Sequence, residues 1–272
     1  MKTVCALFAG LFIWLFTLGF SNTSFAKSDV IRLPHNIEIR KITDNAYTAT
    51  DVDYHESTVL IVKTQDETVV IASSPFEGVG TQAMMDWIKK DLKPKKMVTV
   101  NTHFHLDGSG GNEVYEKNGV EIWSSDLTQK FQKEKLKGTL KGAARGFKGD
   151  LEKRILNTQV VPAKHTFPAK EGKTFDFSGE KVEVFFPGEA HSLDNVVVYF
   201  PKQKVLFGGC MIKPEVIGYL GDANVKAWPE SAKRLKKFDV KYVVQGHGPV
   251  GGPEFLDKTI QVAEAAAKAA KP

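Results

Sequence analysis

Short runs of β-branched and aromatic residues, each closed by turn formers, recur along almost the whole chain. Residues 37–41, 46–50, 57–63 and 67–72 (IEIRK, AYTAT, STVLIVK, ETVVIA) predict a meander of strands. A helix over 81–92 follows, with Met84, Trp87, Ile88 and Leu92 as its apolar stripe and Pro94 as its stop. A strand over 96–100, a short helix over 112–118 and a strand over 120–123 complete the first half. The second half repeats the style, with strands at 181–186, 195–200, 204–207 and 242–245 and a helix over 229–238. A closing helix over 254–270 starts behind Pro253. Two similar halves of alternating strands and helices bury their apolar faces best against one another. The expected class is α/β, two sheets packed face to face with helices on the outer faces, and no linker separates independent domains.

The N-terminus reads differently. Lys2 precedes an apolar run from Val4 to Phe20, and a polar stretch leads into Ser24-Phe25-Ala26, small residues flanking a cleavage point. This predicts a secretory signal peptide over 1–26, leaving 27–272 as a single domain exported to the periplasm. The run is short for a membrane span and ends in the cleavage box, which argues against a permanent anchor. Cleavage removes Cys5, so Cys210 is the lone cysteine of the mature chain and no disulfide framework exists. A solitary thiol in an oxidising compartment is a liability unless it is buried or metal-bound.

Apolar residues at 42% and charged residues at 25% are ordinary for a globular chain and exclude a disordered or fibrous one. A net charge of +5 is too small to announce nucleic-acid binding. Neither nucleic acid nor, after cleavage, a membrane is an expected partner. One stretch stands apart. Thr128 to Arg154 carries nine basic residues against three acids, interrupted by Gly138, Gly142, Gly146 and Gly149. It predicts an exposed, loosely helical basic insertion at about 128–154, either an anion-attracting lid or, more simply, a solvated face.

The segment His103-Phe104-His105-Leu106-Asp107 follows the strand over 96–100 and precedes Gly108-Ser109-Gly110-Gly111. On an extended backbone, residues i and i+2 project to one side, so His103 and His105 can share an ion, and Asp107 continues the spacing. Paired histidines alone are weak evidence; the aspartate and the Gly-rich turn strengthen them. Three later segments each place a ligand type after a strand: Pro187-Gly188-Glu189-Ala190-His191, Phe207-Gly208-Gly209-Cys210 and Gly246-His247-Gly248. The six candidates divide by chemistry. His103, His105 and His191 make a three-imidazole zinc site with an open fourth position. Asp107, Cys210 and His247 make a second, thiolate-containing site that favours zinc over magnesium or calcium. Two Zn2+ are the expected cofactors. Zinc lowers the pKa of bound water to about 7, so a hydroxide held by two ions would be a nucleophile at neutral pH. His35 and His165 lack such company and read as surface residues. His55, beside Tyr54, is either a plain loop residue or the border of a site.

These segments resemble the metallo-β-lactamase superfamily, and the resemblance extends over nearly all of the mature chain. It implies an αβ/βα sandwich with two zincs at one edge of two packed mixed sheets. Gly108 stands where most hydrolases of the superfamily have a histidine, and Cys210 where they have a bridging aspartate. Both differences point to the zinc β-lactamases with three-His and Asp-Cys-His sites. The mono-zinc carbapenemase subclass has Asn where this chain has His103. The resemblance implies hydrolysis of the lactam amide of penicillins, cephalosporins and carbapenems by a secreted, monomeric enzyme. His103, His105 and His191 would hold the zinc that polarises the carbonyl. Asp107, Cys210 and His247 would hold the one that receives the lactam nitrogen, with Asp107 also orienting the hydroxide. Lys213 matches the lysine that grips the substrate carboxylate. Tyr219 stands where many relatives have Asn, so either zinc alone stabilises the oxyanion or the Tyr219 hydroxyl substitutes. Ser109, Asn195 and Asp222 are expected to orient the ligands. Another zinc hydrolase of this fold, acting on a thioester or phosphodiester, and a non-catalytic zinc-binding protein are the alternatives.

Overall fold

The computed structural model describes residues 30–270; the expected signal peptide lies outside the described residues. Among the described residues the strands form two sheets. The first runs in chain order: β1 (Ile31–Leu33), β2 (Ile37–Lys41), β3 (Ala46–Asp51), β4 (Ser57–Lys63), β5 (Thr68–Ala72), β6 (Lys96–Asn101), β7 (Glu121–Ser125) and β8 (His165–Phe167). It is antiparallel up to β5 and parallel from there on. The second contains β9 (Lys173–Phe177), β10 (Glu180–Phe185), β11 (Val197–Phe200), β12 (Val205–Gly209), β13 (Tyr242–Gln245) and β14 (Val250–Gly251). Here only β12 and β13 pair in parallel.

Both sheets are mixed, and their central strands are apolar on both faces, as buried strands must be. Leu60, Val62, Val70, Val98 and Val100 meet Val182, Val198, Phe200, Phe207 and Val244 between the sheets. The alternate residues point outward. Ile61 and Ile71 pack on Met84, Trp87 and Ile88 of the first outer layer. Val197, Leu206 and Val243 pack on Trp228, Leu235 and Ile260 of the second. This is the expected αβ/βα sandwich.

The helices are α1 (Gly78–Trp87), α2 (Leu106–Ser109), α3 (Asn112–Lys117), α4 (Asp126–Phe131), α5 (Lys137–Ala143), α6 (Asp150–Leu156), α7 (Trp228–Lys233) and α8 (Glu254–Ala269). Three departures from expectation have physical causes. First, α1 starts at Gly78 rather than at 81, because the Glu77 carboxylate accepts from Val79 N (2.7 Å) and Gly80 N (3.1 Å). That cap outweighs the poor propensity of two glycines. Second, β1, β8, β9 and β14 were not expected; three of them have three residues or fewer, and each lies at a sheet edge or next to a shorter edge strand.

Third, the basic insertion is more than a solvated face. It comprises α4, a wider π-turn over Gln132–Leu136, α5 and α6. Phe131, Leu136, Leu140 and Ile155 are buried in one cluster with Tyr54, Phe76, Phe104 and Leu106. Lys133, Lys137 and Lys141 remain exposed. Arg154 reaches inward, its guanidinium donating to Glu77 Oε1 at 2.9 Å and meeting Asp150 at 3.0 Å. Among the described residues, no helix is long and apolar enough to cross a membrane.

Candidate metal centre

Six side chains from four loops meet at one edge of the sandwich. His103, His105 and Asp107 leave the end of β6. His191 lies between β10 and β11, Cys210 directly follows β12, and His247 follows β13. The donor atoms of Asp107, Cys210 and His247 lie within 4.8 Å of one another, as do those of His103, His105 and Asp107, and those of His103, His191 and Cys210. Cys210 Sγ is 2.8 Å from Asp107 Oδ2 and 3.3 Å from His247 Nε2. His105 Nδ1 is 3.1 Å from His191 Nε2, and His103 Nε2 is 3.4 Å from Asp107 Oδ1. Two nitrogens on one tetrahedral zinc stand about 3.4 Å apart, so the spacing suits such an ion.

The outer faces of the rings are fixed by the protein. His247 Nδ1–H donates to the His55 carbonyl at 2.9 Å, which leaves Nε2 turned to Asp107 and Cys210. His105 Nε2–H donates to Asp222 Oδ2 at 3.0 Å, which leaves Nδ1 turned to His191. Such outer partners set the tautomer and the aim of an imidazole. Ser109 Oγ donates to the Phe104 and His105 carbonyls, 3.1 Å each. Asn195 accepts from Ser192 N at 3.0 Å and donates to the Gly188 carbonyl at 3.2 Å, bracing the His191 loop. His103 is 2% exposed, and its Nε2 is buried without a hydrogen bond. An orphaned imidazole nitrogen facing a carboxylate and a thiol fits a cation between them.

The electrostatics agree. Burial alone would raise the Asp107 carboxyl, but His103 and His247 beside it hold it well below the usual range. Burial and Asp107 push the Cys210 thiol up, and the pull of His247 and His103 outweighs them. Burial, reinforced by His105, His103 and Lys213, keeps His191 well below an ordinary histidine and therefore neutral. The His105 bond, opposed by burial and helped by Lys135, holds Asp222 low.

The other expected residues are also placed. Lys213 is half-buried beside Gly218, and among the described residues no carboxylate lies within ion-pair reach of it. Tyr219 is 61% exposed, with its ring centre 5.9 Å from that of His105. Its hydroxyl donates to Asp222 Oδ2 at 3.4 Å, so it faces that carboxylate. His35 and His165 are exposed, as expected of surface residues. The sequence offered no sign that His55 acts through its carbonyl, since every residue has one. It also gave no reason to single out Lys135 from its basic neighbours.

Comparison with known proteins places the fold in a family. Residues 52–247 match the profile of the Metallo-beta-lactamase superfamily. The chain is 33% identical over 192 residues to the metallo-beta-lactamase type 2 of Pseudomonas aeruginosa, covering 70% of this chain and 67% of that one. It is 26% identical over 242 residues to the metallo-beta-lactamase type 2 of Bacteroides fragilis, covering 85% and 87%. The solved metallo-beta-lactamase from Pontibacter korlensis superposes with a TM-score of 0.69 at 33% identity, over 84% of this chain and 99% of that one. The DIM-1 metallo-beta-lactamase gives 0.67 at 28%, over 88% and 100%. The chain belongs to the metallo-β-lactamase superfamily, as a metal-binding hydrolase.

Proposed function

We propose that this protein is an exported zinc β-lactamase that opens the lactam amide of penicillins, cephalosporins and carbapenems and so confers antibiotic resistance. The observation that carries the reading is the convergence of three histidines with an Asp-Cys-His set in which Cys210 Sγ lies 2.8 Å from Asp107. His103, His105 and His191 would hold one zinc, and Asp107, Cys210 and His247 the other. The two ions would supply Lewis acidity toward the carbonyl and a water acidified to a pKa of about 7. The chain's own residues do the rest. Lys213, unpaired, takes the carboxylate next to the lactam; a charged contact of this kind contributes about 1.5–3 kcal/mol. Asp107, ionised between His103 and His247, would orient the attacking hydroxide. Asp222 aims His105, and the Tyr219 hydroxyl, bonded to Asp222, steadies that aim. No serine nucleophile is required.

The kinship proposed within the family is to the São Paulo metallo-β-lactamase, on runs such as NTHFHLDGSGGNEVY, LFGGCMIKP and GYLGDANVKAWPESAKRLKKFD. The mature protein, 27–272, acts as a monomeric single domain in the periplasm, with neither nucleic acid nor membrane as partner. The test is the initial rate of carbapenem ring opening by purified mature protein, before and after a chelator and again with zinc restored. A fast rate that is lost and recovered is expected. No rate in zinc-replete protein overturns the reading; thioester and phosphodiester substrates then decide between another hydrolase and a zinc-binding protein.

A further inference from the structure

Lys135 sits where the insertion meets the candidate centre. Its ammonium lies 4.0 Å from the centre of the Phe131 ring and 5.7 Å from that of Phe104. The Phe104 ring in turn lies 4.4 Å from the His105 ring. Beyond His105, bonded to its Nε2 at 3.0 Å, is Asp222. The exposed lysines at 133 and 137 belong to the same stretch, whereas Lys135 is half-buried. Two aromatic faces hold its charge by their quadrupoles without neutralising it. Among the described residues, no carboxylate comes within 4.0 Å of it. The same is true of Lys213, on a different loop. Two ammonium groups without an ion pair among the described residues therefore lie near one centre. The carboxylate next to the lactam ring accounts for Lys213, whereas the acid whose field Lys135 shares, Asp222, is already bonded to His105 and makes no ion pair with the lysine.

We propose that Lys135 is a specificity-determining residue that receives a carboxylate or sulfonate carried on the acyl side chain of the substrate. The assignment rests on the β-lactamase reading above. It gives part of the basic insertion a use: one of its lysines is turned inward as a second anion anchor, while its neighbours stay in solvent. Partial exposure screens such a pair, so its effect is modest and falls with salt.

The test is steady-state kinetics of the zinc-loaded full protein on benzylpenicillin and on its α-carboxy derivative, which differ by one carboxylate on the acyl side chain. In Lys135→Gln the KM of the α-carboxy compound relative to that of benzylpenicillin should rise about three- to tenfold. Lys135→Arg should keep the wild-type ratio, and about 1 M salt, where the screening length is near 3 Å, should erase the difference between Lys135→Gln and wild type. If Lys135→Gln folds poorly, Lys135→Met, which keeps an aliphatic stem over the two rings, replaces it. An unchanged ratio overturns the proposal. So does an equal rise in both KM values, which is the mark of a structural fault. Wild-type protein that turns over neither compound removes the β-lactamase reading and this assignment with it.

Discussion

Cys210 is buried, unpaired and held between Asp107 and His247. A thiolate next to a carboxylate is electrostatically awkward unless a cation joins them. On the two-zinc reading proposed above, Cys210→Ser should therefore lower the zinc content by about one equivalent and slow hydrolysis at least tenfold, read by metal analysis and initial rates. Gly108 is fixed by crowding: a Cβ there would lie 2.3 Å from the His103 carbonyl oxygen and 2.7 Å from its Nδ1. Gly108→Ala should displace the His103 ring and reduce zinc retained after dialysis. Asp51, 2% exposed, has its carboxyl pushed up to about 7, by burial first and by neighbouring Glu77 second. Unfolded, an aspartate titrates near 3.9. Between those values the folded state holds the extra proton, so this contribution is fully present below about pH 4 and is lost as pH rises through 7. The loss is on the order of 4 kcal/mol at most. Asp51→Asn should flatten the slope of stability against pH in denaturant titrations. The six side chains that meet at the rim were legible because His and Cys are scarce in this chain and each lies in a loop after a strand. The partners that aim them were only partly so: Asp222 was visible as a side chain, and the His55 carbonyl was not.

At the scale of elements, the strands were legible because β4 and β5 carry unbroken apolar runs, Val59 to Val62 and Val69 to Ala72. Edge strands such as β1 and β14 are set by pairing across the sheet, which no short window of sequence contains. The insertion was misjudged for a different reason. Nine basic residues dominate its composition, while Phe131, Leu136 and Leu140 repeat at helical spacing beneath them. Its buried side reaches the centre through a chain of contacts. The Phe147 ring centre lies 5.1 Å from that of His55 and 5.7 Å from that of Tyr54, and the His55 carbonyl holds His247. Phe147→Ala should weaken the second zinc several-fold and spare the first, as measured by metal titration. Arg154 ties α6 to the start of α1 through Glu77, whose side chain is only 5% exposed. Arg154→Met would leave that carboxylate without its counter-ion and should lower unfolding stability by about 2–3 kcal/mol, less than the loss of a fully buried pair because Arg154 itself is partly exposed.

For the molecule as a whole, the division of the ligands matters most. One loop of the first sheet supplies His103, His105 and Asp107; loops of the second supply His191, Cys210 and His247. Neither half owns a complete zinc site of the Asp-Cys-His or three-His kind. Metal held by these residues would therefore clasp the seam of the sandwich, and its removal should lower the melting temperature as well as the rate, by the linkage between binding and folding. For a chain exported as proposed above, that clasp would become a quality mark. A molecule that meets no zinc should loosen more readily at that rim, where Phe104 and Leu106 are buried between the His103, His105 and Asp107 positions of the chain. Proteases would then cull it. Scarcity of the ion should thus shorten the lifetime of the protein and not merely idle it, and pulse-labelling with and without a chelator would measure the difference.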